Sequence, residues 1–327
     1  MAHLVTVFGG SGFVGRYVAR EMAHRGWRVR VAVRRPNEAL FVRPYGTPGQ
    51  VEPILCNIRD DASVAAALAG ADAVVNCVGI LAEVGKNSFG LVQHHGAERI
   101  ARESARAGIR RLVHISAIGA DSKSPSVYAE TKALGEAAVL EHMPRAVILR
   151  PSIIFGPEDS FFNRFAGMAM FSPVLPLVGP NTRFQPVYVQ DIALAAAKAV
   201  CGEARPGIYE LGGPEVRTFR ELMVGMLKVI RRRRLVMAIP FPVAMVLAGT
   251  LDLLQAMTLG LFRNGMITRD QVRNLRRDNV VTPGTMGFAE LGIEPTAMGP
   301  VLREYLWRYR PSGQYADIKE SAQHMRP

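Results

Sequence analysis

The sequence predicts an α/β protein in which a doubly wound parallel sheet carries a smaller C-terminal domain built from interleaved segments. Three observations predict it. Short apolar or alternating runs that read as strands recur at residues 5–8, 28–33, 52–56, 73–79, 111–116, 146–152 and 208–211. Stretches with helical spacing separate them, at 13–22, 61–68 and 90–107 among others, and strand–helix alternation of this kind builds parallel sheets through right-handed crossovers. Finally, a chain of 327 residues with 49% hydrophobic content has enough apolar side chain for one large core and a companion, which argues against disorder.

The first strand runs straight into Gly9, Gly10, Ser11, Gly12, Phe13, Val14 and Gly15, after which the pattern turns helical. Glycines at 9, 12 and 15 form a G-x-x-G-x-x-G turn between a strand and a helix. Such glycines turn the chain through φ values that other residues resist, admit a pyrophosphate to the backbone and let helix and strand pack closely. The phosphates then sit on free N–H groups at the positive end of the helix dipole. This context makes the turn a dinucleotide site and the fold Rossmann-type.

The second strand ends at Arg34-Arg35-Pro36. An acidic residue about twenty positions after the first glycines would select NAD through its ribose 2′-hydroxyl, whereas arginines suit a 2′-phosphate. Arg34 and Arg35 therefore point to NADP(H), with two exposed arginines at a strand end as the alternative. After the third strand, Asn57 and Ile58 fall where an adenine ring would lie. The fourth run is apolar throughout, as for a strand covered on both faces, and Val78-Gly79 at its end lets backbone pass close to the cofactor. Gly108 stops the next helix, and the fifth strand ends at Ser116.

Downstream lies Tyr128-Ala129-Glu130-Thr131-Lys132. Residues four apart share a helix face, so phenol and ammonium can address one ribose and nicotinamide. Lys132 would lower the phenol pKa, Tyr128 would exchange a proton with a substrate oxygen, and Ser116 would steady that oxygen. In the alternative, the set is vestigial and only holds the cofactor.

These residues resemble a family. The glycine turn, Ser116, the Tyr128/Lys132 pair, the run from Ala146 to Pro157 and the later Pro186-Val187-Tyr188-Val189-Gln190-Asp191-Ile192-Ala193 together are similar to the extended or atypical short-chain dehydrogenase/reductase superfamily. The resemblance implies that Pro151, Ser152, Ile153 and Ile154 border the nicotinamide. It also implies that residues 1–212 form the cofactor domain, with 157–185 contributing to the small domain, that 213–310 form a mostly helical docking domain, and that 311–327 are an extended tail.

Composition adds limits. Cys56, Cys77 and Cys201 are widely spaced and odd in number, which reads as reduced thiols with no metal. Residues 1–3 lead directly into the first strand, leaving no room for a cleaved secretory signal. A net charge of +12 calls for an anionic partner or surface, with a solvated basic face as the alternative, and no zinc spacing, RNP-like motif or helix-turn-helix accompanies the arginines, so nucleic acid is not expected. Arg231 to Arg234 precede an apolar run, with a helix expected over 243–262, and Arg263, Arg269, Arg273, Arg276 and Arg277 follow. The uncharged stretch is too short to span a bilayer and is broken by prolines. A wide apolar face between basic flanks suits protein core, a partner or an anionic membrane surface.

The last third narrows the resemblance. Phe241-Pro242-Val243, Ile267 to Val272, Asp278-Asn279-Val280-Val281, Phe288 to Thr296 and Tyr305 to Arg310 are similar to the dehydrogenase-like accessory subunits of respiratory complex I, the NADH:ubiquinone oxidoreductase. This implies a peripheral, NADPH-holding structural subunit on the cytoplasmic or matrix face of the inner membrane. Its partners would be other complex I subunits at the junction of the peripheral and membrane arms, and lipid. The full Tyr128/Lys132/Ser116 set leaves open a soluble NADP-dependent reductase, dehydrogenase or epimerase, and a sensor of NADPH levels.

Overall fold

The computed structural model describes residues 3–83, 85, 87–258 and 267–315. From the N-terminus, β1 (Leu4–Phe8) leads through α1 (Phe13–His24) to β2 (Arg28–Val33) and β3 (Val51–Leu55), then α2 (Asp61–Leu68), β4 (Ala73–Asn76) and α3 (His95–Arg106). β5 (Arg111–Ile115), α4 (Val127–His142), β6 (Val147–Pro151), β7 (Ile154–Phe155), α5 (Phe162–Phe171), β8 (Val174–Val178), β9 (Arg183–Phe184) and β10 (Val187–Tyr188) follow. The chain continues with α6 (Val189–Cys201), β11 (Gly207–Leu211), β12 (Arg217–Thr218), α7 (Phe219–Val229), β13 (Leu235–Ile239), α8 (Phe241–Met257), α9 (Arg269–Asn274) and α10 (Met298–Leu306).

Seven strands form a parallel sheet in the order β11-β6-β5-β4-β1-β2-β3. The strand order reverses between β1 and β4, which opens a crevice at their carboxyl ends where this architecture places its ligand. Alternation within the strands explains why they read as apolar runs. Val5, Val7, Val31 and Val75 face one cluster with Ile192 and Ala196 of α6, while Phe8, Ala32, Val74 and Ile148 face another with Ile100 of α3 and Val139 of α4.

A separate aromatic cluster joins Phe155, Phe162, Phe184, Phe219, Leu302 and Leu306. It draws on α5, β8, α7 and α10, so elements far apart in the chain share one core. Tyr305 ties α10 back through a hydrogen bond to buried Asp159, 2.5 Å away. Between α9 and α10 the chain returns to the large sheet, where Phe288, Leu291 and Ile293 enter its core and Glu210 N–H donates to the Met286 carbonyl at 2.9 Å.

Several elements differ from the sequence expectation in their ends. The fourth strand stops at Asn76 instead of 79, because the Val78 N–H bonds to Asn76 Oδ1 at 3.0 Å and turns the chain. The expected helix 90–107 opens with a π turn over Gly90–His94. The apolar helix expected over 243–262 runs from Phe241 to Met257, and 259–266 lie outside the described residues. Its wide apolar face is open, with Val246 69% exposed. No described helix is long and apolar enough to cross a membrane. The expected tail begins with a 3-10 turn at Gly313–Tyr315, and 316–327 lie outside the described residues.

Candidate functional site

The glycine turn is shaped by contacts that a side chain would prevent. Gly9 has φ +71°, and a Cβ on Gly15 would lie 2.3 Å from the Gly9 carbonyl oxygen and 2.7 Å from Gly10 Cα. Gly12 caps α1 without a side-chain hydrogen bond to the first turn. The first N–H groups of α1 lack intrahelical acceptors, so bare backbone and dipole face the crevice with Ser11, Phe13 and Val14. Arg16 braces the loop from outside, its guanidinium donating to the Gly12 and Ser11 carbonyls. This cradle fits a pyrophosphate.

Around it stand the other predicted contacts. Arg34 is exposed and donates to Asn87 Oδ1 at 3.4 Å, whereas Arg35 pairs with Glu38 at 2.9 Å. The Asn57 side-chain Oδ1 accepts the Arg59 N–H in a local turn, and Ile58 lies against Gly96 of α3, where a Cβ would come within 2.9 Å of it. Gly79 brings the turn after β4 close to Lys132 Nζ, 3.5 Å from where a Cβ on that glycine would sit.

Lys132, on α4, and Ser116, just past the end of β5, are both buried, and Tyr128 lies in the first turn of α4. The Lys132 ammonium donates to the Ile115 carbonyl at 3.1 Å. Burial holds its pKa down to about 8, against the pull of Glu136 and Cys77. The expectation that Lys132 lowers the phenol pKa is not met: burial, and then the Asp270 carboxylate, push Tyr128 up to about 12. Ser116 does not present a free hydroxyl either. It donates to Glu136, which Arg150 grips through Nη2 at 2.6 Å and Nε at 2.9 Å, and Arg150 reaches Glu210 at 3.5 Å.

Asn76 and His114 are neighbours on β4 and β5 beneath the same helix. Asn76 Oδ1 accepts from Val78, so its amide nitrogen donates to His114 Nδ1 at 3.1 Å and the ring proton falls on Nε2. That nitrogen is buried and has no partner among the described residues. Burial, reinforced by Lys132, lowers the imidazole to about 3.

Residues 268–281 cross the end of the cleft where the nicotinamide was expected. Asp270 caps α4, accepting from Ser126 Oγ at 2.9 Å, Val127 N–H at 2.8 Å and Tyr128 N–H at 3.3 Å. Asn279 Oδ1 lies 2.6 Å from the Ser152 hydroxyl and accepts the Ile153 N–H at 3.0 Å. Pro151 is buried at the end of β6, and Ile154 pairs in register with Val187 of β10. The polar side of Ser152 thus serves the crossing segment. Sequence reasoning missed Glu136, Arg150, Asp270 and Asn279. Glu136 and Arg150 left a signal, as charges in a largely apolar helix face and strand; Asp270 and Asn279 stood in segments that carried the resemblance, but their place in the site did not show in the sequence.

Outside this cleft, His94, His95 and Glu98 bring ligand atoms within 4.8 Å of one another. The two imidazoles stack at 4.4 Å with planes 23° apart, so their in-plane lone pairs do not converge.

Comparison with known proteins places this geometry. The model of the NAD dependent epimerase/dehydratase family matches residues 5–212. Proteins named NADH dehydrogenase [ubiquinone] 1 alpha subcomplex subunit 9, mitochondrial, from Arabidopsis thaliana and Mus musculus are 34% and 32% identical over 95% and 94% of this chain, which covers 79% and 80% of theirs. A ceramide reductase of Caulobacter vibrioides is 31% identical over 78% of this chain and 79% of its own length. Among solved structures, the NADPH-dependent quinone oxidoreductase QOR2 of Escherichia coli, complexed with NADPH, superimposes with a TM-score of 0.70 at 17% identity, covering 92% of this chain and 98% of that one. At that identity the likeness speaks for the fold alone. With the glycine cradle at the strand-order reversal and a family match across most of the sheet, this chain belongs to the NAD dependent epimerase/dehydratase family.

Proposed function

We propose that this chain is an accessory, NADP(H)-holding structural subunit of respiratory complex I, without an independent reaction of its own. The observation that carries the reading is the 34% identity to a named complex I subunit over 95% of the chain, last third included. The site's chemistry supports it. Tyr128 is pushed away from easy proton exchange, Ser116 is tied to Glu136, and the 268–281 segment crosses the cleft where a substrate would enter. The bound nucleotide would be a brace: pyrophosphate on the α1 N-terminus, ribose beside Tyr128 and Lys132, and the 2′-phosphate on Arg34 and Arg35. The open apolar face of α8 and its basic flanks favour a peripheral position on the cytoplasmic or matrix side of the inner membrane, against lipid and neighbouring subunits at the junction of the two arms.

Purification from membranes in mild detergent, followed by mass spectrometry of associated chains and of released nucleotide, tests the reading. Flavin and iron–sulfur subunits together with NADP(H) support it; a lone soluble chain refutes it.

One observation favours a second reading. A ceramide reductase is 31% identical to this chain, and Tyr128, Lys132 and Ser116 are all present. An NADP-dependent reductase would use the Tyr128 hydroxyl as proton donor to a carbonyl, with Lys132 positioning the ribose and the nucleotide supplying hydride. Substrate-dependent NADPH oxidation abolished by Tyr128→Phe would establish it.

A further inference from the structure

β13 pairs with β8 alone, in parallel, from Leu235↔Val174 to Ile239↔Val178. The Leu235 N–H donates to the Pro173 carbonyl at 3.0 Å. In a parallel ladder alternate residues face the partner, so Leu235, Met237 and Ile239 serve β8 while the N–H and C=O of Val236 and Ala238 point outward. No described strand takes up that outer edge. The far edge of β8 is different, because the same alternation puts Pro176 there and removes a donor. β13 has no such protection. Leu235 and Met237 are 63% and 48% exposed beside the edge, and Phe171, just before β8, is 88% exposed. An open, apolar strand edge is a template for another chain, and native proteins cover it.

We propose that the outer edge of β13 receives an extended segment from a neighbouring subunit, added as a third strand, with an acidic residue at the end nearest Arg231 to Arg234. This rests on the accessory-subunit reading and supplies it with a docking element. A lipid surface cannot fill the role, because acyl chains offer nothing to the outward amides and carbonyls, whereas another strand satisfies both. Charge specifies the partner further. Among the described residues, Arg232 and Arg234 bond only to backbone carbonyls, those of Tyr309, Ala169 and Arg233, so their charge is unneutralised at the start of the strand. The chain's own residues 316–327 are a poor occupant, being mostly polar with Ile318 and Met325 as their large apolar side chains.

Residue-resolved hydrogen–deuterium exchange on the full chain, alone and within the detergent-purified assembly, tests the pairing. Val236 and Ala238 amides should exchange freely in the isolated chain and about a hundredfold or more slowly in the assembly, while Met237 and Ile239 are protected in both. Ala238→Pro removes an outward donor and leaves the inner ladder. It should keep the melting temperature of the isolated chain within about 2 °C and reduce incorporation about tenfold, and Ala238→Val should restore it. Equal exchange of Val236 and Ala238 in both states, their protection in the isolated chain, or normal incorporation of the proline variant overturns the pairing. A wild-type chain that never copurifies with other subunits overturns the accessory reading, and the pairing with it.

Discussion

Arg150→Met probes the buried charge network that holds the Ser116 hydroxyl. Arg150 meets Glu136 at 2.6 and 2.9 Å and Glu210 at 3.5 Å, and both carboxylates are buried. Methionine preserves most of the volume but no donor, leaving two carboxylates without their cation in the sheet–helix interface. Removing one partner of a buried ion pair costs about 3–5 kcal/mol, because the remaining charge keeps its desolvation penalty. For a chain of 327 residues that converts to a fall in melting temperature of roughly 4–7 °C. Thermal and urea unfolding followed by circular dichroism would measure it. Adding Glu136→Leu to Arg150→Met should recover part of the loss, since removing both partners of a buried pair is often close to neutral. A single-variant cost below about 1 kcal/mol, or no recovery in the double variant, would refute the reasoning that these charges are dry and mutually dependent.

Other outcomes follow from the same geometry. His114 is held down to about 3 by burial, so below its ordinary 6.5 the unfolded state takes up a proton that the native state refuses. Its contribution to stability is therefore lost as pH falls from about 6.5 toward 3, and His114→Leu should flatten that slope in urea titrations at pH 4.5, 5.5 and 6.5, by up to about 1.4 kcal/mol per pH unit. An unchanged slope would mean that the ring is not neutral in the native state. Asp270→Ala should remove the cap on α4 at a cost of about 1–2 kcal/mol. It should also lower the Tyr128 phenol from about 12, read by ultraviolet tyrosinate titration against a Tyr128→Phe reference. Replacing Arg34 and Arg35 with Ala should weaken NADP binding about tenfold more than NAD binding by calorimetry; equal losses would discard the 2′-phosphate assignment.

The legibility of the chain follows how local each signal is. The strands announced themselves through short apolar runs, continuous in β4, which is buried throughout, and alternating in β2, and the glycine turn did so because only residues without a Cβ fit where Gly15 approaches Gly9. The Tyr128/Lys132 spacing was visible because helix geometry fixes which residues share a face. The sign of the phenol's shift was not, since it depends on Asp270, more than 140 residues away along the chain.

The sequence by itself therefore determined the parallel sheet and the tight glycine turn between β1 and α1, because both are written in local strand–turn–helix patterns. Tertiary structure alone decided how the site residues are poised. It placed Glu136 beneath Ser116, brought Asp270 onto the start of α4 and Asn279 onto Ser152, and left the outer edge of β13 open. Desolvation and charge contacts set these features, and they exist only once segments distant in the chain have packed together.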